Sequence, residues 1–315
     1  MIEDVQPQRS LRRENTTVQV EHPLVETARM FATNYVAVAG FATLFVIIVV
    51  SLAGPLFYQT DPFEMVWAPF SPPGVKGFLL GTDYLGRDLL AQIIHGGQAT
   101  LAVGCSAALL SVVIGITFGA LSGFYRGWVE EVLMRITEFF QVLPTLLFSM
   151  VLVALFGASL PMIAFAIGIV SWTAVARITR AEFLKIRELE YVIASRSGGA
   201  TNLNLIFRVI LPNALPPIVV QAALLVGFAI LFEAGLSFLG LSDPNVMSWG
   251  AIMGNNRPYI LMHGFTIMYP GLAIFITVLS ISLIGDGLND ALNPKLRKRL
   301  PRHDLVALVC QEPHG

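Results

Sequence analysis

Leu189 to Asn213 reads LEYVIASRSGGATNLNLIFRVILPN, a polar island between long apolar segments. Around it, Arg177, Arg180, Lys185, Arg187, Arg196 and Arg208 concentrate positive charge beside membrane helices, which is expected of an inner-side loop. Glu182 to Ser195 has no Gly or Pro and sets Phe183, Leu184, Leu189 and Val192 among charges, which predicts a surface helix. Gly198 and Gly199 are expected to end it, because glycine enters the left-handed conformation at little steric cost. Thr201 or Asn202 then caps a second short helix through Phe207, which Pro212 is expected to stop. Helix, Gly turn and helix, held against a bilayer, make a knob for an inner-side partner.

The rest of the chain is membrane-like. Of 315 residues, 55% are apolar and 13% charged, with a mean hydropathy of +0.70, whereas an ordinary soluble domain carries about a quarter charged residues. The net charge of -1 is uninformative, because distribution carries the signal. Cys105 and Cys310 lie far apart and form no CxxC pair, so no disulfide is expected.

In chain order, 1–33 reads as a polar tail with Arg9, Arg12, Arg13 and Arg29, in which 26–31 begins a helix. Tyr35 to Tyr58 is long enough to cross a layer of about 30 Å and reads as an anchor, since the run is long for a signal peptide and lacks a small-x-small cleavage site. The loop 61–97, rich in Pro and Gly and sparse in positive charge, is placed outside. Ala99 to Tyr125 returns inward, rich in small residues that allow close helix contact. A short inner loop is expected over 126–137, followed by two helices between Glu138 and Arg177, the first bent at Pro144. Ala214 to Phe232 forms a fifth span with Pro216 and Pro217 in its first turn, 233–268 lies outside, and about Tyr269 to Asp286 is a sixth. With both ends inside, seventeen Lys/Arg fall on inner segments and three outside (Lys76, Arg87, Arg257).

Four motifs carry a resemblance. Ala194 and Ser195, Gly199, Val209 and Leu211-Pro212 match the spacing of the EAA loop of bacterial ABC importer permeases, with Ile193 at the Glu position and Glu190 one turn away. LLGTDYLGRDLL, with Gly81, Thr82, Asp83, Gly86, Arg87 and Asp88, resembles a segment of the C-type permeases of dipeptide, oligopeptide and nickel importers, departing at Gln98 and Thr100. EAGLSFLGLSDPNVMSWGAIM, with Glu233, Ser237, Gly240, Trp249 and Gly250, is similar to another, with Ser242 in place of a Gly. LIGDGLNDALNP, with Gly285, Asp286 and Gly287, resembles a third, departing at Asn289 and Asn293.

The resemblance implies an all-α membrane protein with the six-helix type I ABC importer permease fold and both termini cytoplasmic. It implies a transmembrane permease domain over 34–292 with outer loops 59–97 and 233–268 and a coupling loop over 178–212, flanked by cytoplasmic tails 1–33 and 293–315. Expected partners are a homologous B-type permease, two ABC ATPase subunits that use ATP and Mg, an extracytoplasmic binding protein and membrane lipid, in the bacterial cytoplasmic membrane, with no nucleic acid. The expected function is half of a path for di- or oligopeptides; nickel, metal chelates and glutathione-like compounds remain open substrates. Glu190, Tyr191, Val192, Ala194, Ser195, Gly199, Leu211 and Pro212 are the expected coupling residues.

Several chemistries have no sequence support. No lysine sits in GxxxxGK[ST], so no phosphate cradle is expected and the chain is not expected to be an enzyme or to bind a cofactor. His22, His95, His263, His303 and His314 are scattered, so no metal site is expected. Asp83 and Asp88 are read as binding local amides and Arg87 in a tight turn rather than touching substrate. Glu138, Glu233 and Asp286 are placed at helix ends, with Asp286 paired to Arg177 or Arg180. Gln98, Ser106, Ser111, Gln141, Ser149, Ser171, Gln221 and Asn255 either face a water-filled path or bond between helices.

Overall fold

Long apolar runs punctuated by Pro, Gly and Asx caps fold as helices because a bilayer leaves every backbone amide to be satisfied within its own segment. The computed structural model describes residues 23–292. In chain order come α1 (Pro23–Thr33), α2 (Tyr35–Phe57), α3 (Leu89–Tyr125), α4 (Gly127–Val142), α5 (Thr145–Phe156), α6 (Leu160–Ile186), α7 (Glu190–Ser197), α8 (Asn202–Asn204), α9 (Leu211–Phe238), α10 (Trp249–Asn256) and α11 (Phe265–Leu292). Five helices are long and apolar enough to span a membrane, and α4 with α5 makes a sixth if counted as one span bent by 85°. The expected basic tail over 293–315, Cys310 and the first 22 residues lie outside the described residues.

The bend is sharper than a kink. Leu143 is extended (ψ 134°) ahead of Pro144 (φ -64°), as the proline ring forces on its predecessor. The inner loop expected over 126–137 is helix α4 instead. Its charges Glu130, Glu131, Arg135 and Glu138 hid an amphipathic period in which Trp128 and Phe139 lie exposed and Thr137 is buried.

α3 and α6 form the tightest seam. A Cβ added at Gly115 would sit 2.5 Å from the Val175 Cβ, one at Gly119 2.5 Å from the Ala176 carbonyl oxygen, and one at Gly123 2.6 Å from the Phe183 Cβ. Glycine every fourth residue therefore brings the two backbones together. Ser111 Oγ donates to the Gly168 carbonyl across the seam at 2.9 Å.

Element ends differ from expectation in an instructive way. Asp88 accepts from the Leu90 amide at 3.0 Å, so α3 starts at Leu89, and Gly96 and Gly97 fall inside it against Trp249. The surface helix expected over 182–195 is split, because α6 runs on to Ile186 and Leu189 is an extended N-cap for α7. Pro212 does not stop a helix: α8, a π-helical turn (Leu205–Ile210) and α9 run on without a break, with Pro216 and Pro217 inside α9. α9 also continues past Phe232 to Phe238, and α11 occupies Phe265–Leu292.

The pairing proposed for Asp286 is overturned. Arg180 donates through Nε to Glu130 Oε1 on α4 at 2.9 Å, while Asp286 is exposed and makes no ion pair among the described residues. The glycines beside it explain the motif sterically: a Cβ at Gly287 would lie 2.2 Å from that of Ala37, and one at Gly285 3.0 Å from Leu224. Reversing Glu130 to Lys is expected to destabilise the purified chain by about 1 kcal/mol, with Arg180→Glu restoring the loss in a thermal melt. Asp286→Lys combined with Arg180→Glu is expected to show no such rescue.

Candidate functional site

The knob around α7 is built on one buried residue. Val192 of α7 is fully buried among Phe124, Phe183, Ile186, Leu205 and Ile210, tying the short helix to the ends of α3, α6 and α9. Val192 is therefore an anchor, not one of the outward contacts expected of it. The outward face carries Glu190, Tyr191, Ile193 and Ala194, with Ser195 half-buried. Ser195 donates back to the Tyr191 carbonyl at 2.8 Å.

A glycine turn closes α7. Gly199 has φ +87°, its amide donates to the Arg196 carbonyl at 3.1 Å, and the Ala200 amide reaches the Ser195 carbonyl at 3.2 Å. This pair of bonds satisfies carbonyls that the helix end leaves free and requires the left-handed residue. Thr201 then accepts from the Asn204 amide at 3.4 Å as a cap. Leu211 and Pro212 lie at the start of α9, Pro212 exposed. Arg187 donates to the Phe124 carbonyl at 2.6 Å and Arg126 pairs with Glu188 at 3.3 Å, fixing the knob to the end of α3.

At the opposite end, the turn Gly81–Asp88 is a buried cap, as its residues predict. Asp83 Oδ1 accepts from the amides of Leu85 (2.9 Å) and Arg87 (2.8 Å), and its Oδ2 from Gln92 Nε2 (2.9 Å). Asp88 also accepts from the Tyr58 hydroxyl. Thr82 Oγ1 donates to the Ala68 carbonyl at 2.7 Å, and Gly86 has φ +77° where a Cβ would collide with the Trp67 carbonyl. The expected contact of the two aspartates with the Arg87 guanidinium is absent among the described residues; that group stands 5.5 Å from the Phe63 ring centroid.

The EAGLSFLG to SWGAIM stretch folds back onto this turn. Gly240 (φ +92°) ends α9, and α10 tucks in so that the Tyr84 amide reaches Asn256 Oδ1 at 3.3 Å. Trp249 donates through its amide to Thr100 Oγ1 (3.1 Å) and through Nε1 to the Ile93 carbonyl (2.8 Å). Gly250 lets α10 approach Ala234 and Ser237. Glu233 is not at a helix end but inside α9 and 1% exposed, its Oε1 accepting from Ser237 (2.8 Å) and Ser248 (2.7 Å). The motifs over 81–88 and 233–250 thus meet, whereas Gly285–Gly287 stands apart from both them and α7.

Sequence reasoning gave no bonding role to Gln92, Thr100, Ser248 or Asn256. Ser248, just ahead of a helical run, carried a readable cap signal; Gln92 reaches back nine residues to Asp83, and Thr100 and Asn256 are bonded across long separations that no local pattern encodes.

A bundle of helices long and apolar enough to cross a membrane, with an exposed short-helix knob at one end and a hydrogen-bonded cap at the other, has the build of a multi-pass membrane protein. The chain matches, over residues 115–298, the family described as "Binding-protein-dependent transport system inner membrane component" and, over 23–73, the "N-terminal TM domain of oligopeptide transport permease C". It belongs to that family, the inner-membrane permeases of ABC importers. It is 40% identical to the di/tripeptide transport system permease protein DppC of Pseudomonas aeruginosa, covering 87% of this chain and 93% of that one. It is 36% identical to the glutathione transport system permease protein GsiD of Pectobacterium atrosepticum (88% and 93%) and 35% identical to the oligopeptide transport system permease protein OppC of Bacillus subtilis (85% and 88%). A solved inward-facing MetNI methionine ABC transporter shares the fold, with a TM-score of 0.56 at 21% identity, over 65% of this chain and 98% of that one.

Proposed function

We propose that the chain imports di- or oligopeptides as one of two homologous permeases, paired with a B-type subunit, with two ATPase subunits below and an extracytoplasmic binding protein above. The permease domain covers 34–292, both termini are cytoplasmic, and ATP and Mg are used by the ATPases, with no cofactor on this chain. The observation that carries the reading is the exposed face of α7, held rigidly by Val192 and closed by Gly199. Tyr191, Ala194, Ser195 and Gly199, with Glu190, Leu211 and Pro212 flanking, are its coupling residues. Relatives named for dipeptide and oligopeptide transport support the substrate class, and the charge count supports the orientation.

Closure of the ATPases on ATP moves the knob, and α6 and α9, attached to it, tilt to open the path outward. Cargo biases this equilibrium only through different affinity for the two states. Orientation is tested by a cysteine at Ser197 in a chain with Cys105 and Cys310 replaced: labelling by an impermeant maleimide only after the cytoplasmic side is opened is expected. Labelling from outside intact cells would overturn the reading.

A further inference from the structure

Polar side chains within the spans fall into two populations. Ser106, Ser111 and Thr117 on α3 and Thr277 and Ser280 on α11 each donate to a backbone carbonyl. Thr145 and Ser149 on α5, Ser171 and Thr173 on α6 and Gln221 on α9 have no hydrogen bond among the described residues. Thr179, likewise unbonded, is buried against Gly119 in the α3–α6 seam. Four of the unbonded set, Thr145, Ser171, Thr173 and Gln221, line one cavity of about 310 Å³, beside Leu225 and Phe228. Positions 170–174 lie midway along α6 and 221–228 midway along α9, so the cavity sits near the centre of the spans whichever end faces out.

Of the four, the Ser171 hydroxyl is shut off from water without a partner, which costs about 1–3 kcal/mol, while Thr145 is exposed and Gln221 half-buried; together they gather unbonded polar groups on one wall, where a passing molecule can complete their bonds. The chemistry of the wall narrows what that is. One carboxamide and three hydroxyls offer neutral donors and acceptors together, with no acid, base, imidazole or thiol among the cavity's lining residues. Such a set matches a secondary amide, which also both donates and accepts. It holds no carboxylate, imidazole or thiolate, the ligands that bind a bare transition cation such as nickel. Leu225 and Phe228 present apolar surface to the cargo's side chains without selecting among them.

We propose that this cavity is a mid-membrane station that hydrogen-bonds the backbone amides of a passing peptide, independently of its side chains. The proposal rests on the peptide-import reading and adds the place and mode of contact. Ser171 and Gln221 thereby leave the open choice between path and helix contact, while Ser106 and Ser111 are satisfied within the chain.

The test uses the complete transporter, reconstituted in proteoliposomes with its companion permease, ATPases and binding protein. The probes are trialanine and its analogue methylated on both peptide nitrogens, which keeps the terminal charges and removes the amide donors. At subsaturating substrate, Gln221→Leu with Ser171→Ala is expected to slow trialanine uptake about tenfold and to narrow its preference over the methylated analogue relative to the parent complex. The control Thr117→Val is expected to change neither. Unchanged uptake, or equal loss for both probes, would overturn the station. Should the double variant fail to assemble, a diazirine-bearing trialanine on the parent complex decides: cross-links within 170–174 or 221–228 during turnover support it, and cross-links confined elsewhere overturn it. A parent complex that carries no peptide at all brings down the peptide-import reading and the station together, whereas normal peptide uptake with an unlabelled cavity removes the station alone.

Discussion

Gly119→Leu is expected to remove folded protein from the membrane. The new Cβ alone would stand 2.5 Å from the Ala176 carbonyl oxygen and 2.5 Å from the Thr179 Cβ, and the first of these is backbone, which cannot rotate aside. Separating α3 from α6 to make room would also strain the contacts at Gly115 and Gly123 above and below it. Overpacking of this kind costs about 3 kcal/mol or more, enough to unfold a marginal protein. Detergent-extracted chain carrying a fluorescent tag should show a monodisperse peak for the parent and almost none for the variant. Gly235→Leu is the comparison, because nothing lies within 4 Å of a Cβ there; it is expected to extract well. A normal peak for Gly119→Leu would mean that α3 and α6 do not touch as described.

Gly199→Val is expected to have the opposite profile: normal insertion and extraction, but peptide uptake reduced more than about tenfold relative to ATP hydrolysed. Nothing lies within 4 Å of a Cβ at this position, so no internal clash threatens the fold. The difficulty is the φ of +87°, which a β-branched residue resists by about 1–3 kcal/mol. Relieving it opens the bonds from Gly199 and Ala200 to the end of α7 and changes the direction in which the chain leaves the knob. Paired measurements of uptake and hydrolysis in proteoliposomes check this. Gly199→Asn, which tolerates the left-handed region, is expected to keep most of the coupling. Equal loss with Asn and Val would place the cause at the knob's outer surface instead of its backbone.

What was legible in the sequence was local. The cap at Asp83 and Asp88 could be read because an aspartate finds its amides within four residues. The end of α7 could be read because Gly198-Gly199 leaves few conformations open. The spans themselves followed from length and apolarity. Illegible features depend on neighbours distant in sequence. Glu233 looked like a terminal charge because its second hydroxyl partner, Ser248, lies across the fold-back of α10. Val192 looked like part of a contact face because nothing local says which side of an eight-residue helix faces Leu205 and Ile210. Asp286 invited an ion pair by its charge, while the packing information lay in the glycines around it. α4 was missed because four charges in a short stretch resemble a loop when counted and a helix when phased.

The run from Leu205 to Pro217 has a mechanical consequence. An ordinary helix resists flexing because each turn is stitched to the next by amide-to-carbonyl bonds, and a bend must loosen some of them. Here the ladder has wide π-type rungs over Leu205–Ile210, and then Pro212, Pro216 and Pro217 offer no amide hydrogen. Stitches that were never sewn cost nothing to open. This stretch is a scored line across an otherwise stiff rod, lying between α7 and the long shaft of α9, and it is where that rod bends at least cost.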